Sequence, residues 1–434
     1  MSAPDRSGAD LVAICFVDAG GIARVKAVPQ QLFDHAREHG VGASTTFAVF
    51  RGDDLMASSH DLEVPVGDMR LMPDPASLAG PVDGWSWTAA DLHDVEGEPL
   101  PTCARTFLRR MAARARAAGL EISMAYETEW YAERVQDGSP AHDGPAYGLA
   151  TLAETGSYLR AIAARLAAHQ VPVVQIHPEY SPGQLEVSVA PADPVTAADR
   201  AVLTRHGIRM ARDATGMRAS FAPLVRPELL GNGSHLHFSV WRDGQNLLDP
   251  AAEDDTGRAF LAGVLRELPA LTAIGCASPL SWVRIAPSRW TGAFVCWGVE
   301  NREAPLRLIA GSRSARPGSA NAELKTGDAS GNPYLLAGAV IAAGLAGVEA
   351  KSELPAPVDI DPVRIPEPER ASRGIVPLPT DAEAAASALD GSAVLREALG
   401  EVLADVISAV RRSEAADASG LTQEHLQERY RWRY

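Results

Sequence analysis

Two glutamates separated by one residue inside an apolar segment place the strongest constraint on how this chain folds. Glu127 and Glu129 lie in the sequence Tyr-Glu-Thr-Glu-Trp, within a predicted strand over residues 121–130. Side chains two residues apart in a strand share one face of the sheet, so both carboxylates point the same way. Burying two like charges together is costly unless a cation joins them. The segment therefore predicts either a water-exposed strand face or a cation site on a sheet.

Two further segments carry carboxylates or histidines at compatible spacing. Glu179 and Glu186 flank a Ser-Pro-Gly turn, which allows them to lie on adjacent strands near one point. His235 and His237 alternate in another predicted strand and share one of its faces. Imidazole mixed with carboxylates suits divalent metal ions, but either motif alone is also compatible with ordinary core or surface residues.

Cationic side chains follow in the second half of the chain. Arg284, Arg302, Arg307 and Lys325 are interleaved with apolar strand residues and need anionic partners. The guanidinium fork suits carboxylates and phosphates, although separate surface ion pairs would also explain these residues. Taken together, the carboxylates, histidines and arginines predict one site that binds divalent metals and phosphates. Enzymes that transfer phosphoryl groups use this combination of ligands. No Walker A loop and no Rossmann fingerprint accompany them.

Composition narrows the class of protein. The 434 residues carry a formal net charge of −15, so we expect no nucleic-acid partner, because phosphate binding needs clustered positive charge. The longest apolar run, residues 335–348, is too short to span a bilayer and predicts a buried helix, so no membrane association is expected. The N-terminus lacks the features of a signal peptide, and four scattered cysteines indicate reduced thiols, so we expect a cytoplasmic protein.

The predicted elements indicate an α+β fold. A β-rich region precedes a boundary near residue 100, marked by Pro99 and Pro101, and helices alternate with strands beyond it. Thr102 is the predicted N-cap of an arginine-rich helix whose charged face we expect to be solvated. We therefore predict two domains, an N-terminal domain over residues 1–100 and a catalytic domain over residues 101–434.

In this order, the motifs resemble the glutamine synthetase superfamily over nearly the whole chain. The matching pieces are GDMRLMPD, AYETEWY, HPEYSPGQLE, ASFAP, GNGSHLHFS, WVRIAPSRW, NREAPLR and AELKTGDASGNPYLL. The resemblance implies a small β-grasp-like N-terminal domain and a catalytic domain with a curved antiparallel sheet. It also implies a homo-dodecamer, or a decamer as in some branches of the family, with each site lying between subunits and capped by the neighbour's N-terminal domain. The implied chemistry has two steps: ATP phosphorylates the γ-carboxylate of glutamate, and an amine then displaces the phosphate.

The resemblance also assigns roles to individual residues. It implies one metal on Glu129, Glu179 and Glu186, and a second on Glu127, His235 and Glu323, with Mg²⁺ or Mn²⁺ as the ion. The remaining implied roles are ATP contacts for His237, Ser239 and Arg307, catalytic roles for Arg302, Arg307 and Trp290, and substrate binding for Arg284, Gly231, Lys325 and Asp54.

Several positions depart from the pattern of glutamine synthetases proper. Trp290 stands where those enzymes place the glutamate that handles ammonium. Leu230 replaces an asparagine, Leu224 replaces a lysine, and Lys325 replaces the arginine of a Glu-x-Arg pair. The acid of the N-terminal domain has no clean counterpart, and Asp54, or its neighbour Asp53, is assigned to it.

These departures resemble the glutamine synthetase-like γ-glutamyl amine ligases of actinobacteria, including the γ-glutamylpolyamine synthetases. A tryptophan cannot accept a proton, but its ring can line a pocket for an alkylammonium ion. The leading hypothesis is therefore an ATP-dependent ligase that joins glutamate to a polyamine or small alkylamine. The alternatives are ligation of another carboxylate and amine, a glutamine synthetase that uses ammonia, and a non-catalytic structural relative.

Overall fold

A computed structural model describes residues 10–57, 67–312, 315 and 318–434. Two sheets, each flanked by helices, make up an α+β fold, as the sequence predicts. All four cysteines are buried and free.

The N-terminal sheet has six strands. They are β1 Leu11–Val17, β2 Ala23–Pro29, β3 Val41–Ser44, β4 Asp68–Pro73, β5 Ala79–Val82 and β6 Trp85–His93. The strand order is β2-β1-β6-β4-β3, and β5 pairs with the first residues of β6. Strands β1 and β6 are parallel, whereas the other pairs in this sheet are antiparallel.

The second sheet has nine strands, is curved and positions the candidate site. They are β7 Glu121–Arg134, β8 Val173–Pro178, β9 Gln184–Val189, β10 Met217–Ser220, β11 Ser234–Arg242, β12 Gln245–Asn246, β13 Trp297–Val299, β14 Leu306–Ile309 and β15 Asn321–Leu324. The order is β13-β14-β15-β11-β7-β9-β8, with β10 on β7 and β12 on β11. Burial alternates along most of β7, so its apolar side chains enter the core while Glu127 and Glu129 face the opposite side.

Helices cover the sheets and form the C-terminal part of the chain. They are α1 Phe33–His39, α2 Ala104–Ala117, α3 Leu149–Ala168, α4 Pro194–Met210, α5 Arg212–Thr215, α6 Thr256–Arg266, α7 Leu268–Gly275, α8 Ser281–Arg284, α9 Pro333–Glu349, α10 Glu367–Ser372, α11 Ala382–Gly391, α12 Ala393–Leu399, α13 Glu401–Ala418 and α14 Gln423–Tyr430. Short 3-10 turns lie at Gln30–Leu32, Thr45–Val49, Pro75–Ser77 and Pro362–Arg364.

Helix α9 contains the long apolar run and confirms the prediction of a buried helix. The Asn332 side chain caps it by accepting a hydrogen bond from the backbone N–H of Tyr334 at 2.9 Å. Glycines let α9 approach α6 closely, because a Cβ added at Gly263 would lie 2.1 Å from the carbonyl oxygen of Ala343. Within the described part of the chain, no helix is long and apolar enough to cross a membrane.

The structure corrects two predictions for α2. Its N-cap is Cys103 rather than Thr102, and the Cys103 sulfur accepts from the Thr106 backbone N–H. Arg105 is buried instead of solvated, and its guanidinium donates to Asp74 at 2.7 Å, Asp91 at 3.0 Å and Asp199 at 2.8 Å. A single helical pattern cannot reveal these partners, because they come from distant positions in the chain.

Candidate active site

Charged residues form three cross-strand rows on one face of the nine-stranded sheet. The rows are Glu129–Glu186–His177 across β7, β9 and β8, Glu127–His235 across β7 and β11, and His237–Glu323–Arg307 across β11, β15 and β14. Directly paired residues project from the same side of a sheet. The strand register therefore brings together side chains that lie up to 196 positions apart in the sequence, from Glu127 to Glu323.

These rows open onto a cavity of about 470 Å³. Its lining residues are Glu127, Glu129, Tyr147, Glu179, Tyr180, Gln184, Glu186, Leu230, Gly231, His235, Arg284, Arg289, Trp290, Thr291, Arg302, Arg307, Glu323 and Lys325. The five carboxylates and one imidazole assigned to metals from the sequence all line this cavity, together with the assigned arginines, Trp290, Gly231 and Lys325.

One acidic cluster lies at the β8–β9 turn. His177 Nε2 lies 3.3 Å from Glu186 and His177 Nδ1 lies 3.7 Å from Glu179. The Tyr147 hydroxyl donates to Glu179 at 2.5 Å. Burial, together with the neighbouring carboxylates of Glu127, Glu129 and Glu179, raises the pKa of Glu186 well above its usual range. The raised pKa indicates a concentration of negative charge that a bound cation would relieve.

A second cluster joins β7, β11 and β15. His237 Nε2 lies 2.9 Å from Glu127, and His235 Nδ1 lies 3.2 Å from Glu323. Burial favours neutral Glu127, but the hydrogen bond with His237 and the charge of His235 outweigh it and hold the pKa of Glu127 below its usual range. Burial likewise opposes ionisation of Glu323, whereas Lys325 and the histidines lower its pKa.

Glu129 lies between the two clusters and is held in place by neutral donors. Its Oε2 accepts from the Gln184 side-chain amide at 2.8 Å and from the Gly233 backbone N–H at 2.9 Å. The second amide proton of Gln184 reaches the carbonyl oxygen of Gly231 at 2.7 Å. The Glu129 carboxylate therefore has a fixed position, with its Oε1 at 3.8 Å from His235.

Cationic side chains line the other wall. Arg284 is buried and donates through Nη2 to the carbonyl oxygens of Thr326 and Gly327, both at 2.9 Å. Arg307 and Lys325 both contact Glu323, at 3.2 Å and 3.1 Å. The backbone approaches Arg284 closely at Gly231, whose φ is +94° and where an added Cβ would lie 2.9 Å from Arg284 Cγ.

Aromatic rings form the mouth of the cavity. The rings of Tyr180 and Trp290 lie 4.7 Å apart between centroids, and Tyr147 meets Tyr180 edge-on at 5.8 Å. Trp290 is 40% exposed and donates its backbone N–H to Glu303 at 3.2 Å. Burial raises the pKa of Glu303. The mouth therefore combines aromatic faces with a nearby carboxyl group.

Three residues assigned from the sequence do not line the cavity. His237 lies beside it and is bridged between Glu127 and Asn321. Ser239 accepts a hydrogen bond from the Trp241 indole at 2.8 Å. Asp54 pairs with Arg24 and Arg433, so a single chain does not bring it to the site.

Some lining or supporting residues were missed from the sequence. His177, Tyr147 and Gln184 each contact an assigned carboxylate. Strand alternation was a usable signal for Gln184, which lies two residues before Glu186 and shares its face. The role of Tyr147 depends on the loop before α3 and leaves no periodic signal.

The two clusters fit divalent cations. His177, Glu179 and Glu186 present ligand atoms within 4.8 Å of one another, and so do Glu127, His237 and Glu323. The His235 Nδ1 atom is buried and lies 3.2 Å from the Glu323 carboxylate, without the geometry of a hydrogen bond. A buried imidazole nitrogen that faces carboxylates belongs to a donor set that suits a divalent metal ion. These groupings differ from the ligand sets implied by the family resemblance at one residue each. In the first cluster, His177 takes the place of Glu129. In the second cluster, His237 takes the place of His235.

Comparisons with known proteins place this geometry in a family. Residues 101–430 match the family described as glutamine synthetase, catalytic domain. The chain is 43% identical to gamma-glutamylpolyamine synthetase GlnA3 of Streptomyces coelicolor, over 98% of this chain and 93% of that protein. A crystal structure of a novel glutamine synthase homolog superposes with a TM-score of 0.87 at 30% identity, covering 100% of both chains. A GmaS/ADP complex superposes with a TM-score of 0.83 at 28% identity, covering 97% of this chain and 96% of that one. The chain belongs to the glutamine synthetase family.

Proposed function

We propose that the protein is an ATP-dependent ligase that joins the γ-carboxylate of glutamate to an alkylamine or polyamine through a γ-glutamyl phosphate intermediate. The observation that carries the proposal is the aromatic mouth at Trp290, which opens into a cavity with separate acidic and cationic walls. The 43% identity to a gamma-glutamylpolyamine synthetase supports the choice of amine.

The acidic wall would hold two Mg²⁺ or Mn²⁺ ions. We assign Glu129, Glu179 and Glu186 to one ion, with His177 as a further candidate ligand, and Glu127, His235 and Glu323 to the other. Divalent ions would supply charge neutralisation for the phosphates of ATP. The hydrogen bonds from Gln184 and Tyr147 orient two of these carboxylates, which keeps their oxygens aimed into the cavity.

The cationic wall would bind the anionic substrates. Arg307 and Arg302 line the cavity and would stabilise the charge that develops on the transferred phosphoryl group. Arg284 would bind the α-carboxylate of glutamate, because its buried guanidinium is fixed by two backbone carbonyls at the cavity wall. We further assign Lys325 and Gly231 to substrate binding, and His237 and Ser239 to ATP. These residues would bind anions and stabilise developing negative charge, so none of them forms a covalent bond with a substrate.

The aromatic mouth would admit the amine. A protonated alkylamine is attracted to the faces of Trp290 and Tyr180. The Glu303 carboxyl beside Trp290 would receive a proton or hold a second ammonium group of a longer amine. Trp290 itself cannot accept a proton, so the amine must lose its proton to another group before it attacks the acyl phosphate.

We also propose that residues 1–100 and 101–434 form two domains and that a neighbouring subunit completes the site in a dodecameric ring. Asp54 lies away from the cavity of its own chain, so a role at the active site requires another chain. A complementation experiment tests this. Asp54→Ala and Glu129→Ala chains, each inactive alone, should recover about a quarter of the activity when mixed randomly and reassembled. No recovery from a correctly assembled mixture would refute the shared site.

The activity is tested by measuring phosphate release and product mass with ATP, glutamate and Mg²⁺. The amine panel is ammonia, methylamine, ethanolamine, putrescine, spermidine and spermine. We expect a γ-glutamyl product with one class of larger amine and little turnover of ammonia. Turnover with ammonia alone would show a glutamine synthetase instead. If no amine gives phosphate release or product, in protein that still binds ATP, the result would favour another carboxylate substrate or a non-catalytic role.

A further inference from the structure

Asp328 is a buried carboxylate beside Arg284 that does not itself line the active-site cavity. Its Oδ2 lies 4.0 Å from the Nε of Arg284, and the Asp328 side chain has no exposed surface. In the part of the chain that the structure describes, no other carboxylate comes within this distance of the Arg284 guanidinium. Arg284 lines the cavity and is nevertheless buried, so its charge needs a partner inside the protein.

The charges of Asp328 and Arg284 compensate each other. Burial raises the pKa of Asp328, and the charge of Arg284, followed by the hydroxyls of Ser281 and Ser330, opposes this shift. Neither Asp328 Oδ2 nor Arg284 Nε makes a hydrogen bond with another described residue. Electrostatic attraction over 4.0 Å is therefore the main compensation for both buried atoms.

Ser330 fixes the orientation of the Asp328 carboxylate. Asp328 Oδ1 accepts from the Ser330 backbone N–H at 2.9 Å and also from the Ser330 hydroxyl. The Ser330 Oγ accepts in turn from the backbone N–H groups of Ala277 and Ser278, both at 3.0 Å. These two residues precede α8, which ends at Arg284. One serine thus ties the loop that carries Asp328 to the segment that carries Arg284.

A turn of the N-terminal sheet braces the same loop. The Asn332 side-chain amide donates to the carbonyl oxygens of Val17 and Asp18, at 3.0 Å and 3.1 Å. Gly21 has a φ of +79°, and the carbonyl oxygen of Ser330 leaves no room for a Cβ at this glycine. Such close packing of backbone on backbone holds the loop in place.

The contacts of Arg284 leave one end of its guanidinium to the substrate. Its Nη2 donates to the carbonyl oxygens of Thr326 and Gly327, and its Nε lies near Asp328, so none of these contacts uses Nη1. We infer that Asp328 is a positioning residue, which offsets the buried charge of Arg284, fixes its guanidinium and thereby sets the affinity for the carboxylate that Arg284 binds. The inference rests on the proposed role of Arg284 in glutamate binding and extends it to Asp328 and Ser330.

Asp328→Asn tests the inference, because it keeps the shape of the side chain and removes its charge. The two donors of Ser330 require the amide oxygen at the Oδ1 position, so the amide nitrogen replaces Oδ2 and presents a donor to Arg284. We expect KM for glutamate to rise about tenfold or more, and KM for ATP to change less than about twofold. Ser330→Ala keeps the charge but releases the carboxylate, so it should raise KM for glutamate about threefold, and it provides the test if the asparagine variant does not fold.

Asp199→Asn is the matched control. Asp199 is also buried and pairs with a buried arginine, Arg105, at 2.8 Å, but neither residue lines the active-site cavity. Both asparagine variants should lower the midpoint of urea unfolding, whereas only Asp328→Asn should raise KM for glutamate. An unchanged KM for glutamate in Asp328→Asn, or an equal rise in Asp199→Asn, would overturn the inference.

A comparison of unfolding midpoints separates this inference from the proposed function. Arg284→Gln and Asp328→Asn each leave one buried charge without its partner, so the double variant should lose less stability than the sum of the two single losses. Additive losses would refute the pairing of the two side chains, independently of any catalytic activity. If the unaltered protein releases no phosphate with glutamate and any amine, the proposed function fails, and the unfolding comparison still decides whether Asp328 supports Arg284.

Discussion

Replacing Trp290 with leucine removes an aromatic face from the mouth of the active-site cavity. The Trp290 ring lies 4.7 Å from Tyr180 and remains 40% exposed. A cation over an aromatic face gains about 0.5–1 kcal/mol at an exposed site and about 2 kcal/mol when desolvated. Partial exposure favours a value of about 1 kcal/mol, which is about fivefold in kcat/KM for the amine. The backbone φ of +57° at this residue is unfavourable for tryptophan and leucine alike, so strain largely cancels in the comparison.

The assay measures kcat/KM for the preferred amine, and KM for ATP and glutamate, in Trp290→Leu and Trp290→Phe. We expect the leucine variant to lose amine efficiency about fivefold, the phenylalanine variant to lose less, and both to keep the KM values for ATP and glutamate. Trp290→Glu should weaken amine use and admit ammonia. An unchanged amine profile in the leucine and glutamate variants would refute the assignment of Trp290 to the amine pocket.

Three other perturbations test separate parts of the structure. Glu129→Ala should lower kcat by about a hundredfold or more, whereas Glu133→Ala, farther along β7 and outside the cavity, should retain activity. Arg105→Leu leaves three carboxylates without their shared cation and should cost about 3–5 kcal/mol in urea unfolding, against less than about 0.5 kcal/mol for Arg116→Leu on the exposed face of α2. Burial raises the pKa of Glu414 to about 8, so the unfolded chain loses this proton at a lower pH than the folded chain does. The free energy of unfolding should therefore fall as the pH rises from about 5 to about 8. Glu414→Gln should flatten that fall, and an unchanged pH profile in this variant would contradict the burial argument.

Local patterns in the sequence predict the strands of the site well. Alternation around Glu127 and Glu129 indicates a strand with one charged face, and the structure contains that strand as β7. The spacing of His235 and His237 likewise predicts β11. Alternation assigns a side chain to a face but carries no information about which strand lies beside it. The pairing of Glu127 with His235, and of Glu129 with Glu186, follows from register and became visible only in the structure.

The sequence could not predict the contacts that side chains make with residues of other strands, helices and loops. Arg105 was expected to be solvated, because an arginine-rich helix usually exposes its charges, yet three aspartates from two other regions enclose it. His177 was visible in its motif, but its role depends on pairing with Glu186 across β8 and β9. Asp54, or its neighbour Asp53, was assigned to the site from the family resemblance without a clean motif match, and the ion pairs that hold Asp54 elsewhere involve Arg24 and Arg433. The deciding partners of Arg105 and Asp54 lie far away in sequence, whereas His177 depends on the register between the neighbouring strands β8 and β9.

Glu323 connects the two walls of the active-site cavity, and this placement couples their ligands. Arg307 and Lys325 contact its carboxylate at 3.2 Å and 3.1 Å, while His235 approaches it at 3.2 Å from the acidic side. Glu323 therefore pairs with cations that the proposed function assigns to anionic substrates. A divalent ion on Glu323 and His235 would compete for that carboxylate and release Arg307 and Lys325 toward phosphate or carboxylate groups. Metal and nucleotide should consequently bind with positive cooperativity, and because such coupling is reciprocal, each should tighten the other by the same factor.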